Sequence, residues 1–160
     1  MIVLSLGAKL LIDRVRLPRV WVQTAAYDPD APFRGRYLSV RVRVRADRVY
    51  QGAPLPLGPR GNAWSELRNV YLTAENGQLV ANPAPGWTRL RVTRWNTAQG
   101  EIAVLEEPVA YFIPEDAPDP TRRSPGEELW IEVTVPRKGP PRPIRLGVKK
   151  NGTLAPLTVD

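Results

Sequence analysis

From Tyr37 to Arg45 the chain alternates without a break. Leu38, Val40, Val42 and Val44 fall on one side; Tyr37, Ser39, Arg41, Arg43 and Arg45 fall on the other. Successive side chains of an extended strand point to opposite faces, so the stretch predicts a long, half-buried strand. The same period recurs from Glu128 to Val135, where Leu129, Ile131, Val133 and Val135 align, and again through Ile144, Leu146 and Val148. Arg19 to Tyr27 reads as a strand packed through Val20, Trp21 and Val22, and Trp87 to Trp95 as one alternating through Leu90 and Val92. Shorter strands are expected at Glu101 to Leu105 and Tyr111 to Ile113, and a last one after Asn151-Gly152. Asn76-Gly77, between the apolar runs 69–74 and 78–81, is the sequence of a two-residue hairpin turn.

Between these runs lie a Gly/Pro-rich loop at 51–62 and a Pro/Asp/Arg-rich loop at 114–126. No window beyond the first dozen residues has a helical period. The expected fold is all-β: a single-domain antiparallel β-sandwich or barrel of about eight or nine strands. Helix is expected only in the N-terminal dozen residues and in a short turn near Pro32 or Trp64. The predicted core is Leu38, Val40, Val42, Val44, Leu90, Val92, Leu129, Ile131, Val133, Ile144, Leu146 and Val148.

Residues 1–17 stand apart from the β-rich domain, 18–160. Residues 1–12 are almost wholly apolar, interrupted by Lys9, and Arg14, Arg16 and Arg19 follow. A membrane-spanning helix needs about 20 apolar residues, and this run is shorter. It reads either as an amphipathic segment packed on the domain or as the distal end of a longer membrane anchor, with the anchor favoured.

The 160 residues, 42% hydrophobic and 24% charged, suffice for a folded core. Cysteine and histidine are absent, which removes disulfides, thiolate or imidazole metal sites, and nucleophiles activated by histidine. Ser5, Ser39, Ser65 and Ser124 have no base nearby in sequence, and no hydrolase motif surrounds them. No catalytic residue, metal site or cofactor is assigned, and the chain is read as non-enzymatic. The net charge of +7 comes mainly from arginine and is compatible with nucleic acid, anionic lipid or an acidic protein. Arg41, Arg43 and Arg45, with Tyr37 on the same strand face, form a candidate anion-binding surface of the aromatic-plus-basic kind used for oligonucleotides. A solvated face paired with carboxylates of other strands, Glu132 among them, is preferred, and nucleic-acid binding is not favoured. Glu115, Asp116 and Asp119 read as an exposed acidic turn, because their spacing is not that of a calcium loop.

Asp28-Pro29, then Phe33-Arg34-Gly35-Arg36-Tyr37 with Val40 and Val42, and later Tyr111-Phe112-Ile113-Pro114-Glu115, resemble the two landmarks of the GDYXXLXY motif proteins, a bacterial family of unassigned function. Gly35 and Tyr37 match the motif's glycine and first tyrosine. Arg36, Val40 and Val42 stand where the family has aspartate, leucine and a second tyrosine. The resemblance spans roughly residues 18–157. It implies a β-rich domain tethered to the bacterial inner membrane on its extracytoplasmic, periplasmic face, working through protein–protein contact with an integral membrane partner. Positive charge directly after an apolar run favours the cytoplasmic side, which opposes that orientation. The alternative is a module that binds an anionic ligand or nucleic acid.

Both landmarks place aromatics beside a backbone-restricting residue, Gly35 in one and Pro114 in the other. They are expected to meet: Phe33 or Tyr37 beside Tyr111 or Phe112, and Arg34 or Arg36 within reach of Glu115. Arg34, Gly35, Arg36, Tyr37, Tyr111, Phe112, Pro114 and Glu115 together form the candidate binding cluster.

Overall fold

The structure is a computed structural model and describes residues 8, 11–12, 15–25, 33–34, 37–54, 67–98, 100–114 and 116–158. The strands are β1 (Arg19–Gln23), β2 (Phe33–Arg34), β3 (Tyr37–Val40), β4 (Arg43–Val44), β5 (Arg68–Glu75), β6 (Gln78–Pro83), β7 (Arg91–Thr97), β8 (Gly100–Leu105), β9 (Val109–Phe112), β10 (Glu127–Thr134), β11 (Arg142–Lys150) and β12 (Thr153–Pro156). β3 and β4 are one extended strand interrupted at Arg41, which leaves eleven among the described residues. The fold is therefore all-β, with more strands than the sequence pattern predicts. Segments as short as β2 carry too few residues for alternation to register.

The strands form three antiparallel sheets, ordered β1-β10-β11-β12, β2-β3-β9 and β4-β8-β7-β5-β6. The five-stranded sheet curls until its edges meet. Arg45, directly after β4, forms a parallel bridge with Val80 of β6. Its N–H donates to the Leu79 carbonyl at 2.9 Å, and its own carbonyl accepts from the Ala81 N–H at 2.8 Å. Closure of this kind hides sheet edges that would otherwise expose unpaired backbone groups.

Two hairpins have the predicted turn chemistry. Asn76 and Gly77 link β5 to β6 with φ of 51° and 73°, and Asn151 and Gly152 link β11 to β12 with φ of 50° and 78°. Both central residues are left-handed in each turn, the conformation that matches strand twist and that Asn-Gly tolerates best. Trp87 to Trp95 is corrected at its start: β7 begins only at Arg91, and Trp87 is exposed. The Thr88 hydroxyl donates to the Leu90 carbonyl at 2.8 Å, and this holds the preceding residues in a turn.

Helix is also placed differently. Ala8, Leu11, Ile12, Val15 and Arg16 are helical, but the short helix of the domain is Asp47–Tyr50, directly after the long strand. The regions around Pro32 and Trp64 lie outside the described residues. Among the described residues no helix is long and apolar enough to cross a membrane.

One core joins the sheets. Leu38, Val40, Val42 and Val44 pack with Val70, Val92 and Leu105 of the curled sheet and with Val20, Ile131, Val133 and Leu146 of the four-stranded sheet. Of the predicted core, Ile144 and Val148 are only half-buried. The β10–β11 register shifts between Glu132 and Val133, pairing Glu132 with Arg145 and Val133 with Pro143, so Ile144 has no partner opposite it. Val148 lies beside Ala155 of the edge strand β12, whose small side chain covers it poorly.

On the outer face of the four-stranded sheet, Trp21 lies across Gly147. A Cβ built on Gly147 meets the Trp21 ring at 2.7 Å and the Ala155 carbonyl at 3.1 Å. Gly147→Ala is expected to destabilise the domain by about 1–3 kcal/mol through overpacking, with much of the loss relieved in a Trp21→Leu background; a double-mutant cycle by chemical denaturation checks this. Val42→Asp is expected to cost about 3–5 kcal/mol, because it places an uncompensated carboxylate where all three sheets converge; the midpoint of urea unfolding checks this.

Candidate functional site

The two landmarks adjoin. β3 pairs with both β2 and β9, matching Phe33 with Leu38, Arg34 with Tyr37, Tyr37 with Phe112 and Leu38 with Tyr111. Alternation buries Leu38 and turns Tyr37 outward, and the same register brings Phe112 beside it. The two rings pack edge to face, with centroids 5.7 Å apart and planes at 71°. Tyr37 is 54% exposed and Phe112 50% exposed. Tyr111 packs, partly buried, against the core, and Pro114 is exposed. The Arg34 side chain, Gly35, Arg36 and Glu115 lie outside the described residues, and so does the expected arginine–Glu115 pair.

The three members of the arginine ladder make different contacts. The Arg41 Nε donates to the Glu106 carbonyl at 3.2 Å, and its guanidinium lies 5.4 Å from the Trp95 ring centroid. Arg45 grips Asp47 with two hydrogen bonds, at 2.7 and 3.3 Å. Arg43 is half-buried, and its Nε is buried with no acceptor. Among the described residues nothing forms a hydrogen bond or ion pair with Arg43. Glu132, expected to face this ladder, instead accepts from the Arg145 Nε at 2.5 Å in the neighbouring sheet.

Arg43 borders a cavity of about 510 Å³ at the end of the curled sheet. Val44, Tyr50, Pro54, Arg94 and Ile102 are among its other walls. Arg94 is only 4% exposed and organises the far wall. Its guanidinium donates to the carbonyls of Ala53 at 2.5 Å and Pro54 at 3.2 Å, meets the Glu101 carboxylate at 3.0 Å, and stacks 4.0 Å over the Tyr50 ring. The charge is thus compensated by a carboxylate, two carbonyl dipoles and a ring face, which is what a buried guanidinium requires. Arg94 was not singled out from the sequence, although a signal existed: the alternation that buries Val92 puts Arg94 on the same face.

The helix Asp47–Tyr50 closes this end of the sheet. Arg48 holds Glu75 through two hydrogen bonds, at 2.7 and 2.9 Å, and donates to the Asn82 side-chain oxygen at 2.9 Å. Thr73 donates to Glu75 at 2.8 Å, and the Tyr50 hydroxyl donates to the Val92 carbonyl at 3.2 Å. One turn of helix has no periodic signature, so only its content of Asp, Arg and Tyr hinted at this role. In the 114–126 loop, Asp119 accepts from the Thr121 N–H and hydroxyl at 2.9 and 2.7 Å, a local turn-forming use of its carboxylate.

No protein-family model, curated protein or solved structure matches the chain. The likeness to the GDYXXLXY proteins therefore stands on the two landmarks alone.

Hydrogen bonding from Arg45 holds the Asp47 carboxyl below its usual range, and hydrogen bonds from Arg48 and then Thr73 do the same for Glu75. A carboxylate whose folded pKa is depressed contributes stability that is present above its ordinary value and lost as pH falls through the folded one. These pairs are exposed, so solvent screens them and the effect is small. The thermal midpoint is expected to fall as pH drops below the ordinary values of 4.5 for Glu75 and 3.8 for Asp47. The double variant Asp47→Asn, Glu75→Gln should show a shallower decline in a melting series across that range.

Proposed function

We propose that this chain is a non-enzymatic interaction domain whose docking surface centres on Tyr37 and Phe112. The observation that carries this is the pair of rings, half exposed and packed on each other where the two landmarks meet. Exposed Trp87 and Tyr71 show that a single open ring carries no such meaning; Tyr37 and Phe112 differ in adjoining each other as one apolar patch, and aromatic anchors dominate interface energetics. The GDYXXLXY resemblance supports an integral membrane protein as the partner and an inner-membrane, extracytoplasmic setting. Leu11, Ile12 and Val15, each helical and exposed, are in keeping with a membrane tether.

The experiment is affinity capture from detergent-solubilised membranes with wild type, Tyr37→Ser and Phe112→Ser. Each variant should lose at least about tenfold of the captured partner while costing no more than about 1 kcal/mol of stability, the scale of one aromatic pair. Capture unchanged in both variants, or a partner without membrane spans, contradicts the proposal.

A further inference from the structure

The two ends of the four-stranded sheet differ in charge. Where β10 begins and β11 ends, the signs are mixed: Glu127 and Glu128 pair in register with Lys150 and Lys149. Where β1 begins and β10 turns into β11, there is one sign only. No acidic residue occurs from Arg14 to Tyr27 or from Val133 to Arg145. Strand pairing aligns Arg19 with Thr134 and Thr134 with Arg142. The Val135 N–H donates to the Pro18 carbonyl at 2.9 Å, which brings Arg16 and the hairpin tip, with Arg137 and Lys138, to the same end. Arg16, Arg19, Arg137, Lys138 and Arg142 are all exposed. Pro136, Pro140, Pro141 and Pro143 fix much of the backbone that carries the tip, so its cations are presented on a stiff support.

We infer that this end of the domain is a membrane-facing base, and that Arg137 and Lys138 at the hairpin tip rest on the phosphate headgroups of an anionic bilayer. The charges call for an anionic surface. The neighbouring apolar residues call for a bilayer rather than nucleic acid. Ala8, Leu11, Ile12 and Val15 are each helical and exposed, and stand at the spacing of one helical face. Exposed aliphatic side chains directly before a basic cluster suit a surface that offers acyl chains below its headgroups. Nucleic acid offers nothing to match them. The inference rests on the membrane setting of the proposed function and not on its protein partner. Thr24 bridges Val42 in antiparallel sense, so from that level β1 runs back to Arg19 one way and the long strand runs back to Tyr37 the other. The base and the Tyr37–Phe112 surface therefore lie roughly 30 Å apart along the strands and are separable.

The test is co-sedimentation of the full chain with two kinds of vesicle, pure phosphatidylcholine and phosphatidylcholine with about one-third phosphatidylglycerol. Wild type should bind the anionic vesicles at least about tenfold more tightly, and high salt should remove the difference. Arg137→Gln/Lys138→Gln should lose about thirtyfold on anionic vesicles, about fivefold for each cation, and bind neutral ones as wild type does. Arg89→Gln/Arg91→Gln removes the same charge from exposed positions on the Tyr37 side of Val42 and should bind as wild type does. Both variants should keep the wild-type melting midpoint, because all four side chains are exposed. No protein partner enters the measurement, so a failed capture through Tyr37 and Phe112 would leave its outcome unchanged. Equal wild-type binding to both vesicles, an equal loss in the two variants, or tighter binding to a DNA duplex than to anionic vesicles overturns the inference.

Discussion

Everything in this domain hangs on the backbone hydrogen bonds of one strand. From Tyr37 to Val40 it pairs with β9. At Arg41 its carbonyl accepts from the Ala25 N–H at 2.7 Å, and Val42 bridges Thr24, which ties in the four-stranded sheet. The Val42 carbonyl accepts from the Leu105 N–H, Arg43 and Val44 pair with β8, and Arg45 closes the curled sheet on β6. One strand nine residues long thus carries pairing partners from all three sheets, while its inner face, Leu38 to Val44, seeds the shared core. A one-residue slip would move that apolar set outward and break every junction together.

Arginine does the fastening around this strand. Its planar fork suits two-point contacts with carboxylates and flat stacking on rings, and both recur here. Arg48 joins the short helix to the β5–β6 hairpin through Glu75 and Asn82. Arg94 joins the segment after the helix to the sheet wall. Arg145 lies over Trp21 while bonding Glu132. The basic composition therefore reports in part on construction.

The elements with the strongest alternation were legible in the sequence: the long strand, β10, most of β11 and the two Asn-Gly hairpins. Adjacency of the two landmarks was also legible, because each interrupts a plain strand pattern with aromatics. The division of one strand among three sheets was not legible, since alternation fixes which face is buried but not which neighbour pairs. Nor was the fate of Arg41, Arg43 and Arg45, which look equivalent along the chain and differ only through Glu106, Asp47 and the cavity. Ile144 was misplaced for the same reason, because a bulge has no signature in periodicity. Asp47–Tyr50 was missed because a single helical turn depends on tertiary contacts rather than on its own pattern.

Native-state hydrogen exchange tests most directly whether one strand unifies the domain. The amides of Ala25, Leu105 and Ala81 each donate to a carbonyl of that strand, one from the four-stranded sheet or its margin and two from the curled sheet. All three should exchange with the same opening free energy, equal to that of global unfolding, and with the same denaturant dependence. An Ala25 amide that opens at clearly lower free energy, while Leu105 and Ala81 stay protected, would show that the four-stranded sheet is a separate unit and contradict this account.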